Sequence, residues 1–147
     1  MCATDVLPSG LVDTGALLAL LDANDRWHQA CLDAFAKIRP PLLTSEACLT
    51  ELFHLVGDSP RDVAAAWRLL HSGAVTIGPI GDADLPALET LMARYRDRPM
   101  DFADATLVLL ARRERLDSVF TVDNDDFETY RIDGRRRFRV IPGRVLR

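Results

Sequence analysis

Apolar and polar positions follow two patterns along the chain. Short apolar runs bounded by polar residues, glycine or proline are typical of buried strands. Longer segments whose apolar residues recur at helical spacing are typical of amphipathic helices. The runs predict strands near residues 10–12, 42–43, 74–77, 118–121 and 138–141, and the periodic segments predict helices over 16–22, 25–38, 45–56, 60–71, 84–95 and 102–115.

Polar residues and prolines mark the starts of the predicted helices. The expected capping residues are Asn24 or Asp25, Thr44 or Ser45, and Asp82 or Asp84, while Pro60 suits the first position of its helix. On the helix over residues 45–56, the expected apolar stripe is formed by Ala47, Cys48, Leu52 and Leu55. Residues 122–130 are expected to form a loop, with room for one helical turn.

Strands that alternate with helices indicate an α/β domain with a mostly parallel sheet. A chain of 147 residues, 48% of them hydrophobic, suits a single globular domain with its own core. No apolar run approaches the roughly 20 residues that cross a bilayer, so no membrane segment is expected. The first ten residues lack the basic and long apolar regions of a signal peptide. The cysteines, Cys2, Cys31 and Cys48, are scattered and odd in number, which favours a reducing cytoplasm.

The charge is unevenly distributed. The net charge of −4 alone argues against a nucleic-acid-binding protein. However, Lys37 is the only lysine, and arginines cluster in the second half of the chain, where their planar groups match phosphate. The pattern does not identify the arginines that would contact a nucleic acid; Arg112, Arg135 and Arg136 are candidates.

Acidic residues stand at positions that ordinary surface does not explain well. Asp13 ends the first predicted strand, and Glu51 lies among apolar residues in a helix. Asp101 and Asp104 share one face of a helix start, where Asp101 could simply cap the helix and Asp104 could be a first-turn acid that the helix dipole favours. Asp123 and Asp126 follow the strand at 118–121 and could equally be turn residues. Thr14 could likewise cap its helix, with Asp13 as a mere neighbour.

Together these acids predict a metal site. The carboxyl ends of parallel strands meet at one edge of a sheet, where ligands bind. Two like charges about 4 Å apart repel by roughly 4 kcal/mol at an effective dielectric of 20, so a bound cation would have to offset the cost. Ligation by carboxylates alone favours Mg²⁺, with Mn²⁺ as an alternative, over zinc. His28, His54 and His71 share no spacing with the acids and are expected in the core or on the surface.

The chain resembles the PIN domain family, and more narrowly the VapC-type toxins of toxin–antitoxin pairs. The resemblance rests on the order and spacing of four segments, at residues 11–14, 50–51, 100–105 and 121–127. It implies a three-layer domain over residues 11–142, with a mostly parallel sheet of four or five strands flanked by helices. Residues 1–10 would be an N-terminal extension and residues 143–147 a tail.

The resemblance also implies a Mg²⁺-dependent endoribonuclease. By position in the family pattern, the catalytic carboxylates are Asp13, Glu51, Asp104 and Asp123, with Asp13 and Asp104 as the primary metal ligands. Asp101 and Asp126 are secondary candidates. Thr14 and Thr121 match positions where the family places a hydroxyl near the site.

The implied partners are RNA, a cognate VapB-like antitoxin whose segment covers the acidic site, and a second copy of the chain in a homodimer. Two other functions stay open at this point. One is a catalytically inert PIN-like interaction module. The other is a Mg²⁺-dependent phosphatase with Asp13 as its nucleophile, which usually needs a second acid where this chain has Gly15.

Overall fold

The structure is a computed structural model that describes residues 6–144. Residues 1–5 of the expected extension, which include Cys2, and residues 145–147 of the expected tail therefore lie outside the described residues. The five strands are β1 (Gly10–Val12), β2 (Leu42–Thr44), β3 (Val75–Ile77), β4 (Ser118–Thr121) and β5 (Arg139–Pro142). The helices are α1 (Thr14–Leu21), α2 (His28–Lys37), α3 (Glu46–Val56), α4 (Pro60–His71), α5 (Leu85–Arg94), α6 (Phe102–Glu114) and α7 (Asn124–Thr129), with a 3-10 turn at Asp82–Asp84.

The sheet is parallel throughout, with the strand order β3-β2-β1-β4-β5. From β1 the chain moves outward to β2 and β3, and then crosses back to place β4 on the other side of β1. The strand order thus reverses between β1 and β4, and the crevice at the carboxyl ends of such a pair is where α/β sheets bind ligands. The predicted α/β class and parallel sheet are confirmed.

Helices cover both faces of the sheet, because each central strand is apolar on both sides. Leu11 and Val119 belong to one buried cluster, which includes residues of α5 and α6. Their neighbours Val12 and Phe120 belong to a second cluster on the other face, with residues of α1 and α2. The alternation of side chains along a strand separates the two clusters. The result is the expected three-layer arrangement.

Several local predictions hold. Ser45 caps α3, where its hydroxyl accepts a hydrogen bond from the backbone N–H of Cys48. Pro60 is the first residue of α4, where its missing N–H leaves no helical hydrogen bond unmade. Among residues 6–144, no helix is both long and apolar enough to cross a bilayer.

Other local predictions are wrong. Neither Asn24 nor Asp25 caps α2, which begins at His28, because the Asp25 carboxylate instead accepts from the N–H of Trp27 in the preceding turn. Leu55 is 54% exposed and lies outside the buried stripe of α3. In the 122–130 segment, six residues form α7, so most of the expected loop is helical.

The predicted start of the fifth helix also needs correction. Asp84 precedes α5, but its carboxylate accepts from the N–H of Gly81 and so closes the 3-10 turn rather than capping the helix. Asp82 is the first residue of that turn. The helix itself begins at Leu85 with Pro86 in its first turn.

Candidate active site

Asp13 stands at the reversal point of the sheet. Its backbone N–H donates to the carbonyl of Phe120, so β1 and β4 stay paired up to this residue. Its side chain caps α1, with Oδ1 accepting from the N–H of Thr14 at 2.7 Å. The carboxylate is 8% exposed. Asp13, rather than Thr14, is therefore the capping residue, and it stays buried beside the site.

Thr121 connects two of the predicted carboxylates. Its fully buried hydroxyl donates to Asp13 Oδ2 at 3.0 Å and accepts from the backbone N–H of Asp123 at 2.9 Å. One hydroxyl group thus fixes the end of β1 relative to the start of α7. Thr14 does not act in this way, because its hydroxyl donates to the carbonyl of Cys48 and ties α1 to α3. Of the two predicted hydroxyl groups, only that of Thr121 contacts a site carboxylate.

Asp104 lies in the first turn of α6 and is 8% exposed. Asp101 caps this helix, and its Oδ1 accepts from the N–H of Asp104 at 2.8 Å. Asp104 Oδ2 in turn accepts from the hydroxyl of Tyr130 at 2.9 Å. Tyr130 is fully buried and packs edge-on against Tyr95 and Phe127. A buried aromatic cluster therefore holds the carboxylate in place.

The remaining acids come from three other elements. Glu51 is half-buried in the middle of α3. Asp123 is exposed and caps α7, where it accepts from the N–H of Asp126 at 3.4 Å. Asp126 is also half-buried and lies 3.5 Å from the guanidinium of Arg98.

A single cavity of about 250 Å³ brings all of these acids together. The carboxylates that line it are those of Asp13, Glu51, Asp101, Asp104, Asp123 and Asp126. The other residues of its wall are Thr14, Gly15, Leu55, Pro99 and Val122, so no basic side chain is among them. The structure thus places every predicted site acid, primary and secondary, around one space whose lining includes no basic side chain, and Arg98 pairs with Asp126 beside it.

Burial and mutual repulsion raise the pKa values of the acids in this cavity. Desolvation is the largest cause for Asp104, whose pKa rises to about 8, and the charges of Asp13 and Asp101 add to it. Desolvation likewise raises the pKa of Asp13 to about 6, although its hydrogen bonds to Thr14 and Thr121 act in the opposite direction. Raised pKa values in one cleft are typical of a functional site.

The pKa values of Asp123 and Glu51 are raised as well. Partial desolvation, together with the neighbouring Asp126, raises the pKa of Asp123 to about 6. The pKa of Glu51 is also raised, first by desolvation and then by the charge of Asp101.

The donor chemistry of the cavity fits a hard divalent cation. Carboxylate oxygens are the ligands that Mg²⁺ and Mn²⁺ prefer, and the cavity contributes no histidine or cysteine. The arrangement is open, since within residues 6–144 no three His, Cys, Asp or Glu side chains converge closely enough to hold a metal ion. The site therefore offers the ligand types and the charge without a closed coordination cage.

The three guessed arginines lie elsewhere. Arg112 donates from Nε to the carbonyl of Ile132, and Arg136 pairs with Asp133 at 2.9 Å. Neither they nor Arg135 line the acidic cavity. The arginine that does approach a site acid is Arg98, which sequence reasoning missed.

Sequence reasoning also missed Tyr130. The hydroxyl of Tyr130 and the carboxylate of Asp104 are 26 positions apart in the chain, so neither helical nor strand periodicity relates them. Desolvation and the charge of Asp104 raise the pKa of Tyr130, which keeps the phenol protonated as a hydrogen-bond donor. The nearest signal in the sequence was the pattern Phe127-Glu128-Thr129-Tyr130, which places two aromatic residues three apart, as on one helix face.

Comparison with known proteins agrees with the fold. The family model of the PIN domain matches residues 10–133. Ribonuclease VapC26 of Mycobacterium tuberculosis is 33% identical over 134 residues, which cover 90% of this chain and 99% of that protein. The crystal structure of VapC20 of the same organism, described as a sarcin-ricin loop cleaving toxin, superposes with a TM-score of 0.71 at 24% identity. That match covers 80% of this chain and 92% of VapC20, and it supports the fold alone.

Proposed function

Because the chain belongs to the PIN domain family, in its VapC-type branch, we propose that it is a divalent-metal-dependent endoribonuclease that acts as the toxin of a toxin–antitoxin pair. The observation that carries this proposal is the cavity lined by six carboxylates and no base. The kinship with a protein named as a ribonuclease supports RNA as the substrate class.

In this proposal Asp13 and Asp104 are the primary ligands of Mg²⁺, or of Mn²⁺ in its place, and Glu51 and Asp123 complete the shell. When bound, such a cation lowers the pKa of a water molecule and neutralises charge on a phosphodiester. Thr121 and Tyr130 are positioning residues, since each holds one primary carboxylate by a hydrogen bond. Asp101 and Asp126 add negative charge at the rim and attract the cation.

The phosphatase alternative loses support at Gly15. A Cβ built at this position would lie 2.7 Å from Val122 Cγ2, so the second acid that such enzymes place two residues after the nucleophile does not fit without movement of Val122. The inert interaction module differs from the proposed nuclease only in catalysis, and cleavage of RNA separates the two.

The proposal includes two protein partners. A VapB-like antitoxin segment would cover the acidic cavity, where an arginine could pair with the carboxylates in place of the cation. A homodimer is supported by large apolar side chains that are about half exposed on the described surface, among them Ile77 and Leu85. Cytoplasmic location fits Cys31 and Cys48, which are both buried and free.

The proposed activity is tested by incubating total cellular RNA with purified protein in Mg²⁺, in Mn²⁺ and in EDTA. We expect discrete fragments that require a metal ion and vanish when Asp13→Ala and Asp104→Ala are combined. The matched control combines Asp58→Ala with Asp117→Ala, which removes two exposed carboxylates outside the cavity. Folded, antitoxin-free protein that cuts nothing in either metal would be the inert module instead.

A further inference from the structure

A second pocket, of about 320 Å³, adjoins the acidic cavity. The two spaces share Val122 and Asp123 in their walls, so a chain bound across the acidic cavity reaches the second pocket within a short distance. The rest of its wall comes from the segment before α2, from the start of α7 and from Arg144. The proposed function assigns no role to this pocket.

One wall of the second pocket is a stacked pair of planar groups. The guanidinium of Arg26 lies over the indole ring of Trp27, 5.4 Å from its centroid. Arg26 is exposed, whereas Trp27 is half-buried and packs against the apolar cluster of α1 and α2. The Asp25 carboxylate fixes the backbone at this point by accepting from the N–H of Trp27. A rigid aromatic residue with an arginine plane beside it is a common surface for stacking nucleobases.

Another wall contains a buried amide with an unused acceptor. Asn124 is 7% exposed and lines the pocket, and its Oδ1 accepts no hydrogen bond within the described part of the chain. Its Nδ2 makes only a long contact of 3.5 Å with the carbonyl of Val122. Because buried polar atoms without partners are rare, this oxygen is a free acceptor at the wall of the pocket, and a ligand that supplies a donor reaches it when the Asn124 side chain rotates toward the pocket.

The formal charges that line the second pocket cancel, because Arg26 and Arg144 stand against Asp123 and Asp125, so a phosphate group meets no net attraction there. The carboxylates of Asp123 and Asp125 both line it. The positive charge of Arg144 is already shared between Asp125 and Glu128, with Glu128 at 3.0 Å. A neutral, planar group with polar edges needs no net charge in the pocket, and a nucleobase is a group of this kind.

We propose that the second pocket is a nucleobase subsite, in which a base of the RNA next to the cleaved phosphodiester stacks on the Arg26–Trp27 pair and turns a polar edge to Asn124. The inference rests on the proposed ribonuclease function and deepens it, because it names the part of the substrate that this wall recognises. It predicts that contact with a base, beyond charge attraction, contributes to RNA binding.

The fluorescence of Trp27 provides the direct test. The chain has two tryptophans, so Trp67→Phe leaves Trp27 as the only one, and Asp104→Asn is added to prevent cleavage. Short oligomers of A, C and U are titrated into this protein, with inorganic polyphosphate as a polyanion that lacks bases. We expect at least one oligomer to quench Trp27, and polyphosphate to leave its emission unchanged. Equal quenching by polyphosphate, or oligomer binding without quenching, would overturn the subsite.

Affinity for labelled oligomers gives the second readout. Trp27→Ala removes one base–aromatic stack, and we expect it to weaken binding of the oligomers by roughly 5- to 150-fold. Trp27→Phe should retain most of the affinity, and Trp67→Ala, which removes the other tryptophan from α4, should leave it unchanged. Equal losses in Trp27→Ala and Trp67→Ala would contradict the proposal.

The two proposals fail in different ways. Metal-dependent cleavage that Trp27→Ala leaves intact, together with unchanged affinity, would overturn the subsite and keep the nuclease. Quenching of Trp27 by oligomers in a protein that never cuts RNA would overturn the nuclease and keep the subsite as an RNA-binding surface. If no oligomer binds at all, the subsite is wrong.

Discussion

Asp104 and Tyr130 form the best-defined contact of the site. The phenol is fully buried, stays protonated and donates to a carboxylate that faces the cavity. A hydrogen bond of this kind sets the orientation of a ligand side chain, and loss of such outer contacts typically costs a metal site 10- to 100-fold in affinity or activity.

Replacing Tyr130 with phenylalanine should therefore lower RNA cleavage by roughly 10- to 100-fold without unfolding the protein. The ring keeps its edge-on contacts with Tyr95 and Phe127, so the aromatic cluster survives. Cleavage rates at saturating Mg²⁺ and circular dichroism measure the two effects.

Tyr95→Phe is the matched control. It removes a hydroxyl from the same cluster, but one that accepts from the N–H of Arg131 rather than donating to a site acid. A loss of cleavage as large in Tyr95→Phe as in Tyr130→Phe would assign the effect to packing.

At the scale of elements, the end of β1 and the start of α7 are joined through Thr121. Its hydroxyl bonds to a carboxylate on one side and to a backbone N–H on the other, so both depend on the strand pairing of β1 with β4. Since β4 precedes α7 directly, a shift of this strand would move Asp123 with it.

Thr121→Val should destabilise the protein by about 1–3 kcal/mol, because it leaves the N–H of Asp123 without its partner. Cleavage should fall as well, since Asp13 loses a hydrogen bond, and Thr121→Ser should restore both. Urea unfolding and cleavage rates measure these changes.

Thr14→Val serves as the control, because the hydroxyl of Thr14 donates to the carbonyl of Cys48 on α3. We expect Thr14→Val to lower stability and to reduce cleavage less than Thr121→Val does, since the Thr14 hydroxyl bonds no site carboxylate. An equal loss of cleavage in both variants would assign the effect to packing.

How far the sequence predicted the structure also depends on the element. The strands and the longer helices were recognisable because their apolar residues repeat at the period of the element. The α2 start was misplaced because Asp25 and Trp27 form a turn that resembles a cap in sequence. The six residues of α7 were too few to show a period, and three of their polar residues read equally well as a turn.

The residues of the site also differ in how far the sequence predicts them. Five of the six acids were predictable because they stand at a strand end or a helix start, where topology brings them together. Glu51, in the middle of α3, was recognisable by its apolar neighbours instead. The contacts of Tyr130 with Asp104 and of Arg98 with Asp126 were not, because they join segments that only the tertiary fold brings together. The boundaries of the domain at residues 11 and 142 stay a prediction.

At the scale of the whole molecule, the acidic cavity makes stability depend on pH. The pKa of Asp104 is about 8 in the folded, metal-free protein against an ordinary value of 3.8, so the folded state keeps a proton that the unfolded state has lost. Asp13, with a pKa of about 6, acts in the same direction at lower pH. Stability from these groups is present below the unfolded pKa and is lost as pH rises through the folded pKa.

Metal-free protein should therefore become less stable as pH rises from about 5 to about 8, by up to about 1.4 kcal/mol per pH unit for each excess proton held. Asp104→Asn should flatten this dependence and stabilise the protein at the alkaline end, because the amide carries no charge to desolvate. Urea unfolding in EDTA across this range is the measurement. Stability that increases with pH in the wild-type protein would show that the acids are not buried as described.

The proposed nuclease activity requires the carboxylate cavity to hold a divalent cation. Titration of Mn²⁺ followed by electron paramagnetic resonance, near pH 8 and without RNA, tests this most directly. We predict saturable binding to the wild-type protein and to Asp58→Asn, displaced by Mg²⁺ and strongly weakened in Asp104→Asn. Binding that is equally strong in Asp104→Asn, or absent from the wild-type protein, would show that the carboxylate cavity is not a cation site.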